Sequence, residues 1–407
     1  MKPKQISVVL FGLGILAGSS NLLAKVALDT ERGLKFYDTE NEYRTFKLST
    51  HLKLDETLFL HNRSLPNQNN PTRRRDLSGP VNSAQIRQAE IALRGGVTQD
   101  LSYVFKVDLA RKRVEIFEAY LSYKGLAPQT NLLIGKIFLP FSFEMACSSK
   151  WLSFLERPLP IIAFAPPLGL GVSLSKAWEM MTATIGIVEY GRDEHLLART
   201  HPISLASRIT FSPLHTEDRV YHVGMSLSHQ EAKPTDLPRF RSKPEAHSRE
   251  MPEFLNTGII RQVKHHQVLG VDAALLRGPF TLQGEYAEAF VNRLHSQSSL
   301  RFRGGYIQAS FILTGESRNY DFKTGTFGRI TPKGDCGAFE IAIRQSYLNL
   351  NNQDIRGGTE RNLGVSFGWY ANDAIRIFGN YIRANIVSHR LDKRKLDIVG
   401  VRFQYVY

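Results

Sequence analysis

From residue 45 to residue 407 apolar and polar positions alternate with a period of two. Phe46, Leu48, Leu52, Leu54 and Leu58 share one parity, and Lys47, Ser49, His51, Lys53 and Asp55 share the other. Leu101, Tyr103, Phe105 and Val107 alternate with Ser102, Lys106 and Asp108, and Phe339, Ile341 and Ile343 with Glu340, Ala342 and Arg344. Leu363, Val365, Phe367 and Trp369 alternate with Asn362, Gly364, Ser366 and Gly368. Side chains at i and i+2 share one face of a strand, so this is the period of β-structure with one apolar face.

Strands are expected at 45–60, 86–94, 101–110, 114–123, 131–139, 170–176, 181–190, 203–212, 219–229, 256–263, 267–276, 280–291, 302–314, 337–349, 361–371, 374–386 and 396–407. A single-chain bacterial barrel needs an even number, so one of the two weakest, 170–176 or 256–263, has to go and sixteen remain. Gly95–Asp100, Gly125–Thr130, Gly278–Pro279 and Ala371–Asp373 read as tight turns. Segments 61–85, 140–169, 230–255, 315–336, 350–360 and 387–395 read as long loops on the opposite end. So many long loops argue against a soluble domain, while alternating short turns and long loops are what a transmembrane up-and-down antiparallel β-barrel shows. The closing run, Val399, Val401, Phe403, Tyr405 and Tyr407 on one parity, ends on an aromatic, as outer-membrane barrels do.

Residues 1–24 change the compartment. Lys2 and Lys4 precede an apolar run from Ile6 to Ala17, and small residues follow at Gly18, Ser19, Ser20 and Ala24. This is the layout of a secretory signal peptide, with cleavage expected between residues 20 and 27. The domain reading is therefore a signal peptide over 1–24, a short segment over 25–44 and one barrel over 45–407 in the outer membrane.

The hydrophobic fraction of 42% and charged fraction of 22% exclude a helical membrane protein and a disordered chain, but not a barrel. Two cysteines, Cys147 and Cys336, exclude a disulfide scaffold. Neither a phosphate loop nor a nucleophile elbow occurs, and His51, His195, His201, His215, His222, His229, His265 and His266 follow no metal-ligand spacing. No enzyme, cofactor or metal is expected. A hydrolytic barrel would need a Ser/His/Asn-type constellation at one depth of the wall.

Charge is the informative quantity. The net charge is +14, and if the apolar parity faces lipid then Lys47, Lys53, Arg94, Lys106, Lys136 and Arg344 face the lumen, with Asp55, Glu90, Asp108, Glu118, Glu285 and Glu340 to pair with some of them. Basic side chains lining a narrow aqueous path favour anions. Segment 140–169 is too apolar for a loop in water; its Phe141, Phe143, Trp151, Phe154 and Leu155 suit packing against the inner wall, where Ser148, Ser149, Lys150 and Arg157 reach the path. The alternative is an external loop at a subunit contact. The tract Arg73-Arg74-Arg75 suits either gathering anions at the mouth or binding lipopolysaccharide phosphates. Nucleic acid is not an expected partner of an exported barrel. Inward Gly and Ser on 361–371 suit an open lumen rather than a plugged one.

The stretches IRQAEIALRGGVTQDLSYVFKVDLA (86–110), LLIGKIFLPFSFEMACSSKWLSFLERPLP (132–160), LTGESRNY (313–320), GAFEIAIR (337–344) and DIVGVRFQYVY (397–407) resemble the phosphate-selective porin O and P family of Gram-negative outer membranes. Phe339 stands where family members usually carry Trp. The resemblance implies a sixteen-stranded barrel, usually a homotrimer, with its third loop folded inward, and phosphate conducted past arginines and a central group of lysines. Lys136, Ser148, Ser149, Lys150 and Arg157 lie in the neighbourhood of those cations. The resulting expectation is a passive, anion-preferring porin for phosphate or polyphosphate. A nonspecific or sugar porin and a structural or adhesive barrel are the alternatives.

Overall fold

The computed structural model describes residues 26–29, 34–38, 41, 43–60, 81–110, 114–190, 202–233, 237–248, 253–295, 297–388 and 391–407. The signal-peptide reading over 1–24 and the Arg73-Arg74-Arg75 tract lie outside the described residues.

Sixteen antiparallel strands close into a barrel. They are β1 (Thr45–Leu60), β2 (Val81–Gly96), β3 (Leu101–Asp108), β4 (Glu115–Tyr123), β5 (Thr130–Phe138), β6 (Leu168–Ala177), β7 (Met181–Glu189) and β8 (Ile203–His215), followed by β9 (Arg219–Glu231), β10 (Val263–Arg277), β11 (Phe280–Arg293), β12 (Leu300–Ile312), β13 (Ala338–Asn352), β14 (Ile355–Tyr370), β15 (Ile375–Ser388) and β16 (Leu391–Val406). Each pairs with its neighbour in sequence, and β16 closes on β1 with Asp397 opposite Leu60 and Val406 opposite His51. Closure leaves no edge, so every ladder group is paired as the bilayer requires. A short strand pair, Val26–Asp29 and Leu34–Asp38, extends β1 at its first residues.

The alternation falls as expected. Leu54, Ile86, Phe105, Leu121, Ile134, Ile185, Met225, Ile307, Ile343, Val365 and Val401 point outward and are exposed, as an apolar band facing lipid must be. Of the two weak strands, 170–176 is β6 and 256–263 is not a barrel strand, which resolves the odd count.

The connections differ from the expectation in three places. Segment 315–336 lies in the β12–β13 connection, at the end of the barrel that otherwise carries the tight turns, and it folds into the lumen rather than standing outside. Segments 350–360 and 387–395 are not long loops: β13 and β14 join through Gln353 and Asp354, and β15 and β16 are separated by two residues. Asn and Gly in those runs read as loop formers, but Asn349, Asn351 and Asn352 sit in the β13 ladder.

Three segments fill the barrel. The 139–167 segment carries α1 (Phe143–Ala146) and α2 (Leu159–Phe164). The 232–262 segment enters from the same loop end, and its Phe240, Phe254, Leu255 and Ile260 form one apolar core with Leu159 and Phe164 of α2 and with inward Val268, Ala289, Phe302, Leu348 and Ile386. The third, 313–337, meets α1 from the turn end through Phe327 against Phe143, centroids 5.1 Å apart.

Candidate functional site in the barrel lumen

The 148–157 stretch has almost no hydrogen bonds of its own, so its carbonyls need partners. The wall supplies them. Lys53 donates to Ser149 O at 2.9 Å, Gln404 to Lys150 O at 3.0 Å and Arg376 to Leu152 O at 3.1 Å. Ser366 donates to Ser153 O at 2.6 Å, Arg402 to Leu155 O at 2.6 Å and Arg344 to Glu156 O at 3.0 Å. Arg318, carried in by the 313–337 segment, donates to Trp151 O at 2.7 Å. At the α1 end Glu285 accepts from Phe143 N at 3.0 Å and Glu144 N at 2.7 Å.

Close packing completes the seat. A Cβ on Gly304 would come within 2.9 Å of Pro160 Cβ, and one on Gly364 within 3.0 Å of the Phe154 ring. The inward Gly364 and Ser366 therefore do not leave the lumen open; they make room for an inserted segment and bond to it. The Phe154 ring in turn lies 4.1 Å from the Arg344 guanidinium.

The anchoring cations are neutralised where they stand. Arg402 binds Asp55 through two hydrogen bonds of 2.6 and 2.7 Å and reaches Glu156 at 3.2 Å. Arg344 binds Glu245 of the 232–262 segment at 2.8 Å, and Arg318 binds Glu340. Arg87, at the bulge where Lys53 and Leu54 shift register, holds Glu156 at 2.7 and 3.1 Å. Arginine suits this work because its planar fork satisfies a carboxylate and a carbonyl together. These guanidinium groups, most of them nearly inaccessible, hold structure rather than face a path.

The candidate residues thus separate. Arg344 and Lys53 face inward as expected but are spent on loop carbonyls. Arg157 stays within its own segment, donating to Glu144 O at 3.1 Å and Cys147 O at 2.8 Å. Ser149 bonds Gln88 at 3.3 Å, while Ser148 is exposed. Lys136 is a correction to the inward set. It stands opposite Ala119 on β4 and Leu170 on β6, and Leu170 is 65% exposed; its own neighbour Ile137 is the buried, inward one. Alternation places Lys136 on the outer face, a parity the sequence reading assigned the other way.

Four cations remain together against β1–β4. Lys47 and Arg94 are cross-strand partners on the inner face, and Lys106 pairs with Glu118 while its ammonium lies 5.0 Å from the Phe117 ring centre. Lys150, midway along the inserted segment, comes close enough that Arg94, Lys106 and Lys47 all act on its ammonium. Burial first, and then those like charges, push Lys150 down to about 8; Glu90 pulls the other way. Arg94 and Lys150 have no ion-pair partner among the described residues. Inward Arg94, Val104, Lys106, Glu118 and Tyr120 are only half-buried, whereas inward Arg344, Ser346 and Leu348 on β13 are sealed. The accessible side of the lumen is this one.

A Ser/His/Asp arrangement, which the sequence did not disclose, spans β8, β9 and β10. Ser212 Oγ lies 3.2 Å from His222 Nδ1, and His222 Nε2 lies 2.8 Å from Asp272 Oδ1. Asp272 is, however, clamped by Arg208 at 2.8 and 3.0 Å, and Ser212 and His222 Nδ1 are both engaged by Tyr320 OH at 2.6 and 2.7 Å. All of this is buried beneath the 313–337 segment, which the network fastens to the wall. Cys147 is buried, with burial pushing its thiol up to about 12, and Cys336 is exposed; both are free thiols. Among the described residues no three metal-ligating side chains converge.

The chain is 25% identical to Porin O of Pseudomonas aeruginosa, over 94% of this chain and 93% of that one. Two solved barrels share the fold: an anion-selective porin from Comamonas acidovorans, with TM-score 0.57, 9% identity and coverage of 89% of this chain and 99% of that one, and OprB of Pseudomonas putida, with TM-score 0.58, 7% identity and coverage of 89% and 94%. A family model described as phosphate-selective porin O and P matches residues 72–407, and with a closed sixteen-stranded wall and an inserted third loop between β5 and β6, the chain belongs to that family of outer-membrane porins.

Proposed function

We propose that the protein is a passive, anion-preferring diffusion porin whose conduction path runs along the β1–β4 side of the lumen, with phosphate or polyphosphate as its cargo. The observation that carries this reading is the group Lys47, Arg94, Lys106 and Lys150 on the half-exposed inner wall, in which Lys106 is paired with Glu118, Glu90 acts on Lys150, and Arg94 and Lys150 have no ion-pair partner among the described residues. The inserted 139–167 segment narrows the path and presents Lys150 to it. A cation whose neighbours are cations gains from an anion what it lacks from the protein, and in a confined space that field is focused. Several weak sites rather than one strong one allow the ion to leave. Two of the similar proteins, Porin O of Pseudomonas aeruginosa and the anion-selective porin of Comamonas acidovorans, favour the same reading.

Assembly follows from the outer face. Lys136 on β5 and Glu56 on β1 are charged residues on the outward parity beside Ala119 and Ala84. A lipid-facing charge costs roughly 2–4 kcal/mol near the midplane, so a homotrimer that covers β1–β6 removes a real penalty. Export through a cleaved signal peptide over residues 1–24 and contact of the loop end with lipopolysaccharide complete the proposal.

The test is the reversal potential of the purified protein in a planar bilayer under a KCl gradient. Chloride selectivity, with current reduced by millimolar phosphate, supports the reading. A cation-selective or neutral potential overturns it, and the absence of channels shifts the reading to a structural or adhesive barrel.

A further inference from the structure

The outer surface of β12–β16 carries a second basic set that the conduction path does not use. Arg303 on β12, Arg361 on β14, Arg383 on β15 and Lys395 on β16 all stand on the outward parity and are exposed. Register places Arg361, Arg383 and Lys395 side by side, with Arg303 two strands from Arg361 and one inward–outward repeat higher. Arg361 is opposite Tyr347 on β13 and Asn385 on β15, Asn385 is opposite Lys395, and Arg383 is one inward–outward repeat below on the same strand. Neighbouring strands are about 5 Å apart and alternate residues about 7 Å apart, so Arg361, Arg383 and Lys395 fall within roughly 10 Å of one another.

Two features give this row a direction. Below it lie Ile307, Ile343 and Val399, and Leu363 stands opposite Arg383; all are exposed members of the apolar band. The Tyr347 ring supports Arg361 at 5.2 Å, holding the guanidinium over the wall. Arginine on a lipid-facing wall is costly at the midplane and nearly free at the interface, so the row marks the headgroup level at the loop end. Two acids adjoin the set: Asp397, opposite Arg383, lies 3.9 Å from it and accepts from Tyr381, and Glu288, opposite Arg303, is bonded by Arg301. Arg303 and Arg361 have no ion-pair partner among the described residues.

We infer that this outward face of β12–β16 docks the phosphorylated head of an outer-leaflet glycolipid, lipopolysaccharide, with its acyl chains on the apolar band beneath. Phosphates are bidentate acceptors that match arginine, and a ligand with acyl chains below and phosphates above matches the two tiers of the wall. The inference rests on the outer-membrane reading and gives its lipopolysaccharide contact a location distinct from the Arg73-Arg74-Arg75 tract.

The experiment uses the full folded barrel in detergent and native mass spectrometry with diphosphoryl lipid A, dephosphorylated lipid A and phosphatidylglycerol as separate probes. The triple variant Arg303→Gln, Arg361→Gln, Arg383→Gln is expected to bind diphosphoryl lipid A at least about tenfold more weakly. Wild-type protein is expected to prefer diphosphoryl lipid A over both other probes. Equal binding by wild type and variant overturns the site, and equal binding of phosphatidylglycerol overturns the glycolipid assignment. If the triple variant fails to fold, Arg303→Gln alone and Arg361→Lys separate charge from geometry: the first weakens binding several-fold, the second retains most of it. Conductance and reversal potential of the variants are expected to equal wild type, because these side chains face away from the lumen. A wild type that lacks anion selectivity but binds lipid A defeats the pore reading and leaves this one standing.

Discussion

The barrel has a low wall and a tall wall. Strands β3–β7 have eight to ten residues, and β8–β16 with β1 and β2, which continue them around the closure, have thirteen to sixteen. Both present basic side chains to the lumen, yet the same chemistry does opposite work on the two sides. On the tall wall Arg344, Arg376 and Arg402 are buried, bonded to loop carbonyls or carboxylates, and invisible to an ion. Against the start of the low wall, Arg94, Lys106 and Lys150 are half-exposed and gathered among like charges. Counting cations along a porin sequence therefore says little about selectivity. What decides it is which cations are left over once the inserted loop has been tied down.

The strongest way to break the comparison is to convert a tall-wall anchor. Arg402→Met strands Asp55, a nearly inaccessible carboxylate, and leaves Leu155 O without its donor. Removing one partner of a buried pair costs about 3–5 kcal/mol. The barrel ladder does not depend on Arg402, so the loss is expected in the inserted segment: single-channel conductance at least doubles and becomes noisy, while heat-modifiable migration on gels persists. Adding Asp55→Asn recovers part of the quiet, smaller conductance. An unchanged conductance in Arg402→Met would mean that the arginine anchors do not hold the loop.

The complementary change is Lys150→Glu on the low side. It reverses one charge among Arg94, Lys106 and Lys47 without touching the backbone contacts, since the anchor at this position is the Lys150 carbonyl. Anion-over-cation permeability is expected to fall about tenfold, read from the reversal potential, with conductance little altered. The same group sets a pH dependence. Lys150 is displaced down to about 8, so it is charged below that value and neutral above it. Anion preference is thus expected to decline between about pH 7 and pH 9, and Lys150→Arg, which stays charged, is expected to flatten the decline.

The two walls also differ in how far their sequence discloses them. Alternation revealed fifteen of the sixteen strands plainly, because each has one lipid face and a polar inner face. It was weakest at β6, expected at 170–176, and it does not show where the inner face is apolar as well. Val268, Ala289, Phe302 and Leu348 point into the barrel and pack on α2 and the 232–262 segment, so their strands lose the polar parity that identifies a lumen. The inward fold of 139–167 was legible from its aromatics, but its anchors were not. Arg318, Arg376 and Arg402 are 167, 224 and 247 residues away from the carbonyls they bind, and nothing local distinguishes a carbonyl-binding arginine from a pore-lining one. Segment 315–336 reads as an outer loop from its length and polar composition; Tyr320 and Phe327, aromatic within a Gly- and Asp-rich run, are the available sign that it packs inside.

Lys136 supplies the smallest and most discriminating test. Parity counted from the charged residue placed it in the lumen, whereas pairing with Ala119 and Leu170 places it outside. The nearby Gly135 is where the strand departs from regular geometry, with a φ of 141° and a position too close to Ala119 O to carry a Cβ. The distortion does not swap faces, because Ile134 remains exposed and Ile137 buried on either side of it. On the proposed homotrimer, this outward lysine opposite Ala119 falls at the subunit contact. Lys136→Ala is therefore expected to leave reversal potential and phosphate block unchanged and to lower the temperature at which oligomers dissociate on gels by a few degrees, in keeping with an exposed-pair contribution of about 1 kcal/mol or less. A change in selectivity without a change in oligomer stability would return Lys136 to the lumen and show that the low wall twists more than its ladder implies.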